Sequence, residues 1–138
     1  MINRKSGQLV IVLCSLIMLI AAADAADLPS ADKELIKGAG IPIYSGAEFV
    51  NGNQDVGFRF VTNRSPEDVR AWYIKELAGW SVYREYGGWI LYKGKPGLGM
   101  GDLMTMNQVQ VQSNTRLHEW FGIDKSMSTE IVIMIPGL

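Results

Sequence analysis

The chain has 138 residues, with 13 basic and 14 acidic side chains, one histidine and one cysteine. A formal net charge of −1 supplies neither the basic face that nucleic acid requires nor attraction to anionic lipid. The length accommodates a single domain with one core and leaves no room for a second.

Arg4 and Lys5 begin a three-part leader. Leu9 to Ala23 is an apolar run softened only by Cys14 and Ser15, and it is shorter than the about 20 residues of a membrane-spanning helix. Ala23-Asp24-Ala25 then places small residues at the two positions a signal peptidase reads. This layout predicts a secretory signal peptide over residues 1–25, cut before Ala26, no stable membrane span after cleavage, and a periplasmic or secreted product. Cys14 leaves with the leader; Leu13 before it and the apolar run beyond it set it apart from a lipid-attachment cysteine. The mature chain therefore has no disulfide, thiol nucleophile or thiolate ligand. Its 11 basic and 13 acidic residues leave it slightly acidic.

Residues 26–40 are polar and alanine-rich and are expected to be loosely held. Within them a short helix from Ala31 to Lys37 is predicted, capped by Ser30 and ended by Gly38. A single domain over residues 41–138 follows. Ile41-Pro42-Ile43-Tyr44 reads as extended chain and Ser45-Gly46 as a turn. Ala47–Val50 and Val56–Thr62 predict a hairpin around Asn51-Gly52, with Val56, Phe58 and Phe60 on one face and Gly57 and Arg59 on the other.

A helix over Pro66–Ala78 carries the strongest local signals: Ser65 at the cap, Pro66 in the first turn, Glu67 and Asp68 near the positive end, and Gly79 as the stop. Val69, Trp72, Tyr73 and Leu77 make its apolar stripe. Trp80–Tyr86 and Trp89–Lys93 flank Gly87-Gly88, which reads as a two-residue hairpin link. Lys95–Gly101 is a glycine-rich loop. Asn107–Ser113 alternates, with Val109 and Val111 opposite Gln108, Gln110 and Gln112. Thr115–Phe121 reads as a helical turn, and Thr129–Ile135 as a strand buried on both faces. The order β-β-α-β-β-β-β defines an α+β fold class, with one main helix packed on a mostly antiparallel sheet.

Ile41-Pro42-Ile43-Tyr44-Ser45-Gly46-Ala47, Ser65-Pro66-Glu67-Asp68-Val69, Tyr73 and Gly79-Trp80 together carry a resemblance. The chain resembles a group of small exported bacterial proteins of unknown function with a Pro-x-Tyr-Pro-Gly-Ala … Ser-Pro-Glu-Asp-Val … Tyr … Gly-Trp pattern. Ser45 stands where that pattern has proline, and the likeness spans residues 41 to 93. It implies an exported product of this fold class and brings no functional residues with it.

The motifs that carry chemistry each lack a member. His118-Glu119 opens a zinc-protease pattern, but Gly122 occupies the place of the second histidine. Gly79-Trp80-Ser81-Val82-Tyr83 misses the last glycine of a nucleophile elbow. Ser113, Ser126, Ser128 and Asp124 accompany His118 by composition alone. Gly97-Leu98-Gly99-Met100-Gly101 follows a strand, yet Asp102 replaces the third glycine of a dinucleotide loop and no helix is predicted after it.

Two constellations stay open. Met104 and Met106, on one side of an extended segment, are soft ligands that with His118 would suit Cu(I). Glu85 and Glu130, both on predicted strands, would serve a small carboxylate-dependent hydrolase if the sheet brought them together. Trp72 and Trp80 read as core, whereas Trp120-Phe121 lies in a polar context and reads as an exposed contact patch. The sequence thus predicts an exported, non-catalytic binding or accessory module with an envelope protein or small ligand as partner. It assigns no catalytic, cofactor-binding or metal residue and no cofactor.

Overall fold

A computed structural model of the chain describes residues 27–85, 87–114 and 116–137; the signal peptide expected over residues 1–25 lies outside them. Along the chain come α1 (Ser30–Gly38), β1 (Glu48–Asn53), β2 (Gly57–Thr62), α2 (Pro66–Glu76), β3 (Ser81–Tyr83) and β4 (Ile90–Tyr92). Then follow α3 (Met100–Leu103), β5 (Gln108–Ser113), α4 (Leu117–Phe121) and β6 (Thr129–Met134). The six strands form one antiparallel sheet in the order β1-β2-β6-β5-β4-β3. The class is α+β, as the patterning predicts, with the short helices α3 and α4 set between the later strands.

Helix α2 forms where its local signals place it. Ser65 Oγ accepts the Asp68 N–H at 3.1 Å, Pro66 begins the first turn, and Glu67 and Asp68 sit at its positive end. Val69, Tyr73 and the capping Leu77 are buried, and α2 lies on β5 and β6. Beneath it run two rows of apolar side chains set by strand register. Phe58, Ile133, Val109 and Leu91 form one, and Phe60, Ile131 and Val111 the other. Trp72 seals the margin, edge-on to Tyr44 at 5.1 Å and to Tyr73 at 4.8 Å.

Residues 27–40 are tied into this core rather than loosely held. Leu28 and Ile36 are buried in the same cluster, beside Ile41 of the segment that follows, and burying one such side chain contributes about 2 kcal/mol. Helix α1 starts one residue earlier than expected: Pro29 takes the cap position, and Ser30 makes no capping bond.

On the opposite sheet face a smaller cluster, Tyr83, Ile90, Tyr92 and Leu103 with Leu98 and Met106, covers β3 and β4. The glycine-rich loop and α3 form its lid, fastened by the Tyr92 hydroxyl donating to Lys95 O at 2.6 Å. A four-residue helix does open after this loop, with Gly99 at its cap, contrary to expectation.

Both hairpins differ from the predicted turns. Asn51-Gly52 lies inside β1, opposite Arg59 and Phe58, and the chain reverses at residues 54–56. There Asn53 Oδ1 accepts the N–H groups of Asp55 at 2.9 Å and Val56 at 3.2 Å. The register shifts between Phe49 and Asn51, and Val56 falls in the turn, 66 % exposed, instead of beside Phe58. In the second hairpin Tyr83 pairs with Ile90, so the connection is six residues long rather than Gly-Gly alone. Trp89 from this connection turns into the main core.

Candidate functional site

The alternating glutamines of β5 point away from the main core onto the second sheet face and join its other polar residues. A line of side-chain hydrogen bonds crosses four strands there. Arg59 Nη1 donates to Asn51 Oδ1 at 3.2 Å, Arg59 Nε to Glu130 Oε1 at 2.7 Å, and Gln112 Nε2 to Glu130 Oε2 at 3.2 Å. Gln110 Nε2 donates to Gln108 Oε1 at 3.0 Å, and Gln108 Nε2 passes on to Leu103 O at 2.6 Å. Each of these side chains is engaged by at least one neighbour, so the ladder holds strands in register.

The end of β5 leads into a differently built segment. Asn114, buried, donates from Nδ2 to Met127 O at 2.8 Å and accepts the Leu117 N–H on Oδ1 at 3.1 Å. His118 spans the same loop, with Nδ1 3.1 Å from Ile123 O and Nε2 3.0 Å from Asn114 O. A neutral ring donates to one of these carbonyls and an imidazolium to both. Leu117 is buried below, and Gly122 ends α4 in the left-handed region at φ 62°. The Ser126 backbone N–H and hydroxyl, with a lesser pull from His118, hold the exposed Asp124 carboxyl below its ordinary pKa. On this braced support Trp120 is 65 % exposed and Phe121 47 % exposed.

The chain matches no known protein family, no curated protein and no solved structure.

Met104, Met106 and His118 do not converge. Met106 packs under the α3 lid before β5, Met104 is exposed beside it, and His118 lies past the other end of that strand. The six residues of β5 separate them by about 20 Å. Both His118 ring nitrogens face backbone carbonyls at hydrogen-bond distance, so neither has open space before it for a metal in this arrangement. Among the described residues no group of three or more His, Cys, Asp or Glu side chains is placed to hold a metal ion.

Glu85 and Glu130 are also apart. Glu130 is committed to Arg59 and Gln112, while Glu85 lies beyond β3 and accepts the Tyr83 hydroxyl at 3.0 Å. β3 and β6 stand three positions apart, about 14 Å at ordinary strand spacing, wider than the about 5–10 Å of a glycosidase pair. Among the described residues no serine hydrogen-bonds to His118: Ser126 bonds Asp124, and Ser128 Oγ donates to Arg64 O at 3.2 Å. Among the described residues no helix is long and apolar enough to cross a membrane.

The Trp120-Phe121 patch lies where sequence context puts it, at the surface. What sequence reading missed is its support. Asn114 and His118 carry no recognisable motif, and their importance depends on carbonyls up to 13 residues away in the chain.

Proposed function

We propose that this protein is an exported, non-catalytic binding module of the cell envelope that contacts its partner through Trp120 and Phe121. The observation that carries the reading is the exposure of two large aromatic side chains on a helix fixed by buried Asn114 and by His118. Covering one such side chain is worth about 1.5–3 kcal/mol, so a partner that covers both gains several kcal/mol. A braced aromatic pair is a suitable anchor because little conformational freedom is lost when a partner covers it. The absence of converging nucleophile, base or ligand groups among the described residues favours binding over catalysis. The partner is an envelope protein or a small ligand, and the leader expected over residues 1–25 supplies the compartment.

The test places a photocrosslinking side chain at Phe121 in producing cells, with Lys75, exposed on α2, as the control position. A discrete adduct from position 121 that is lost with Trp120→Ala is the expected result. Equal labelling from both positions, or no adduct at 121, overturns the contact. Export is checked separately by the mature N-terminus: Ala26 in an envelope fraction is expected, and an intact Met1 in the cytosol overturns it.

A further inference from the structure

A second place in the molecule has the makings of a site, away from Trp120 and Phe121 and independent of them. Between α2 and the β3–β4 connection lies a cavity of 300 Å³ lined by Arg70, Arg84, Gly87, Gly88 and Trp89. Two guanidinium groups border it, and no carboxylate is among its lining residues. Among the described residues the only ion pair is Arg59 with Glu130, so neither Arg70 nor Arg84 is neutralised by a described acid. Glu85, next to Arg84 in the chain, accepts the Tyr83 hydroxyl, and Glu67 and Asp68, the acids nearest Arg70 along the chain, sit in the first turn of α2 and form no ion pair with it.

Arg70 is fixed in place. Its Nε and Nη2 both donate to Val111 O, at 3.2 and 2.9 Å, and its Cζ lies 5.8 Å from the centre of the Trp89 ring. Those two bonds use two of the five guanidinium N–H groups, which leaves three for a ligand. Trp89 is buried and acts as the wall against which the guanidinium rests. Gly87, at φ +75°, and Gly88 carry no side chain into the opening, and Gly88 N–H is spent on Glu85 O at 3.0 Å in shaping the turn.

We infer that this cleft binds a small solute through a phosphate or carboxylate group gripped by Arg70 and Arg84. The argument rests on charge and geometry. Two like charges lining one cleft concentrate a positive field there, although the chain as a whole is slightly acidic. A guanidinium presents its donors in a planar fork that fits two oxygens of one oxyanion, and a pre-positioned fork binds without first being ordered. Arg70 supplies the fixed fork, and Arg84, exposed, closes from the other side.

The experiment follows the Gly87 and Gly88 amide resonances and the Arg84 Nε–H resonance of the ¹⁵N-labelled protein. Inorganic phosphate, succinate and sodium chloride are added in parallel at matched ionic strength. Saturable shifts confined to these groups with phosphate, succinate or both, and not with chloride, are expected, and the responding anion identifies the group recognised. Arg84→Ala should weaken that binding about tenfold, the effect of removing one charged hydrogen-bonding partner, and Arg84→Lys by less. Shifts that never saturate, that chloride reproduces, or that survive Arg84→Ala unchanged overturn the site.

Discussion

Arg59 on β2 reaches across to Glu130 on β6, Nε to Oε1 at 2.7 Å, and the two members of this pair are unequally buried. The Glu130 side chain is 10 % exposed and that of Arg59 34 %. Removing the arginine strands a nearly buried carboxylate with only Gln112, whereas removing the carboxylate leaves a guanidinium that still reaches water. Arg59→Met should therefore destabilise the fold by about 2–3 kcal/mol and Glu130→Gln by about 1 kcal/mol. Urea denaturation of both variants decides it, and equal losses would remove the asymmetry from the account.

Tyr73 presents the opposite case, a buried hydroxyl that lacks a hydrogen bond of good geometry. The Tyr44 backbone lies near enough to offset part of the burial, which nevertheless raises the phenol pKa far above its ordinary value. Tyr73→Phe should leave stability unchanged or raise it by about 1 kcal/mol at neutral pH. Because the folded-state pKa is raised, the tyrosine's contribution is intact below about pH 10, where the unfolded side chain begins to ionise, and is lost above it. The margin of the phenylalanine variant over the natural protein should then widen by up to about 1.4 kcal/mol per pH unit. Equal alkaline unfolding of the two proteins would contradict this.

Gly52 is held at φ +116°, and a Cβ placed there would sit 1.9 Å from the Gly57 carbonyl oxygen. Gly52→Ala must therefore push β1 away from β2 and should cost at least about 2 kcal/mol. A thermal midpoint unchanged within error would show that the hairpin accommodates the methyl group.

Asn51-Gly52 shows how far local sequence signals reach in this chain. Asn-Gly is a strong turn signal between strands, yet β1 continues through it to Asn53 and the chain reverses at residues 54–56, where Asn53 Oδ1 accepts two backbone N–H groups. Helix α2 and the two-faced pattern of β5 were legible because caps, proline and alternation act over a few neighbours. Glu130 and Arg59 lie 71 residues apart, so their pairing has no local signature. The same holds for Arg70, whose partner carbonyl is 41 residues away. Trp120-Phe121 could be found because its polar flanks gave it no apolar stripe to join.

Asn114 offers a readout of the contact itself. Asn114→Ala removes the acceptor for Leu117 N–H and the donor to Met127 O, for an expected loss of about 2 kcal/mol. Hydrogen exchange at Leu117–Phe121 should accelerate while exchange in α2 changes less, since the bonds lost are confined to this loop. Crosslinking from position 121 should fall in parallel. Uniform acceleration across the chain would instead assign Asn114 a global structural role.

The placement of β6 bears on how this polypeptide is made. It comes last in chain order among the six strands, yet it lies between β2 and β5 and contributes both of their inner borders, pairing Phe58 with Ile133 and Val109 with Ile133. Until residues 129–134 leave the ribosome, an amino-terminal hairpin and a later meander have no common seam, and each presents an unpaired edge of backbone. Commitment to the native state is therefore a late, all-at-once event, slow by the sequence distance it closes, and the nascent chain spends its synthesis in need of protection from its own sticky borders.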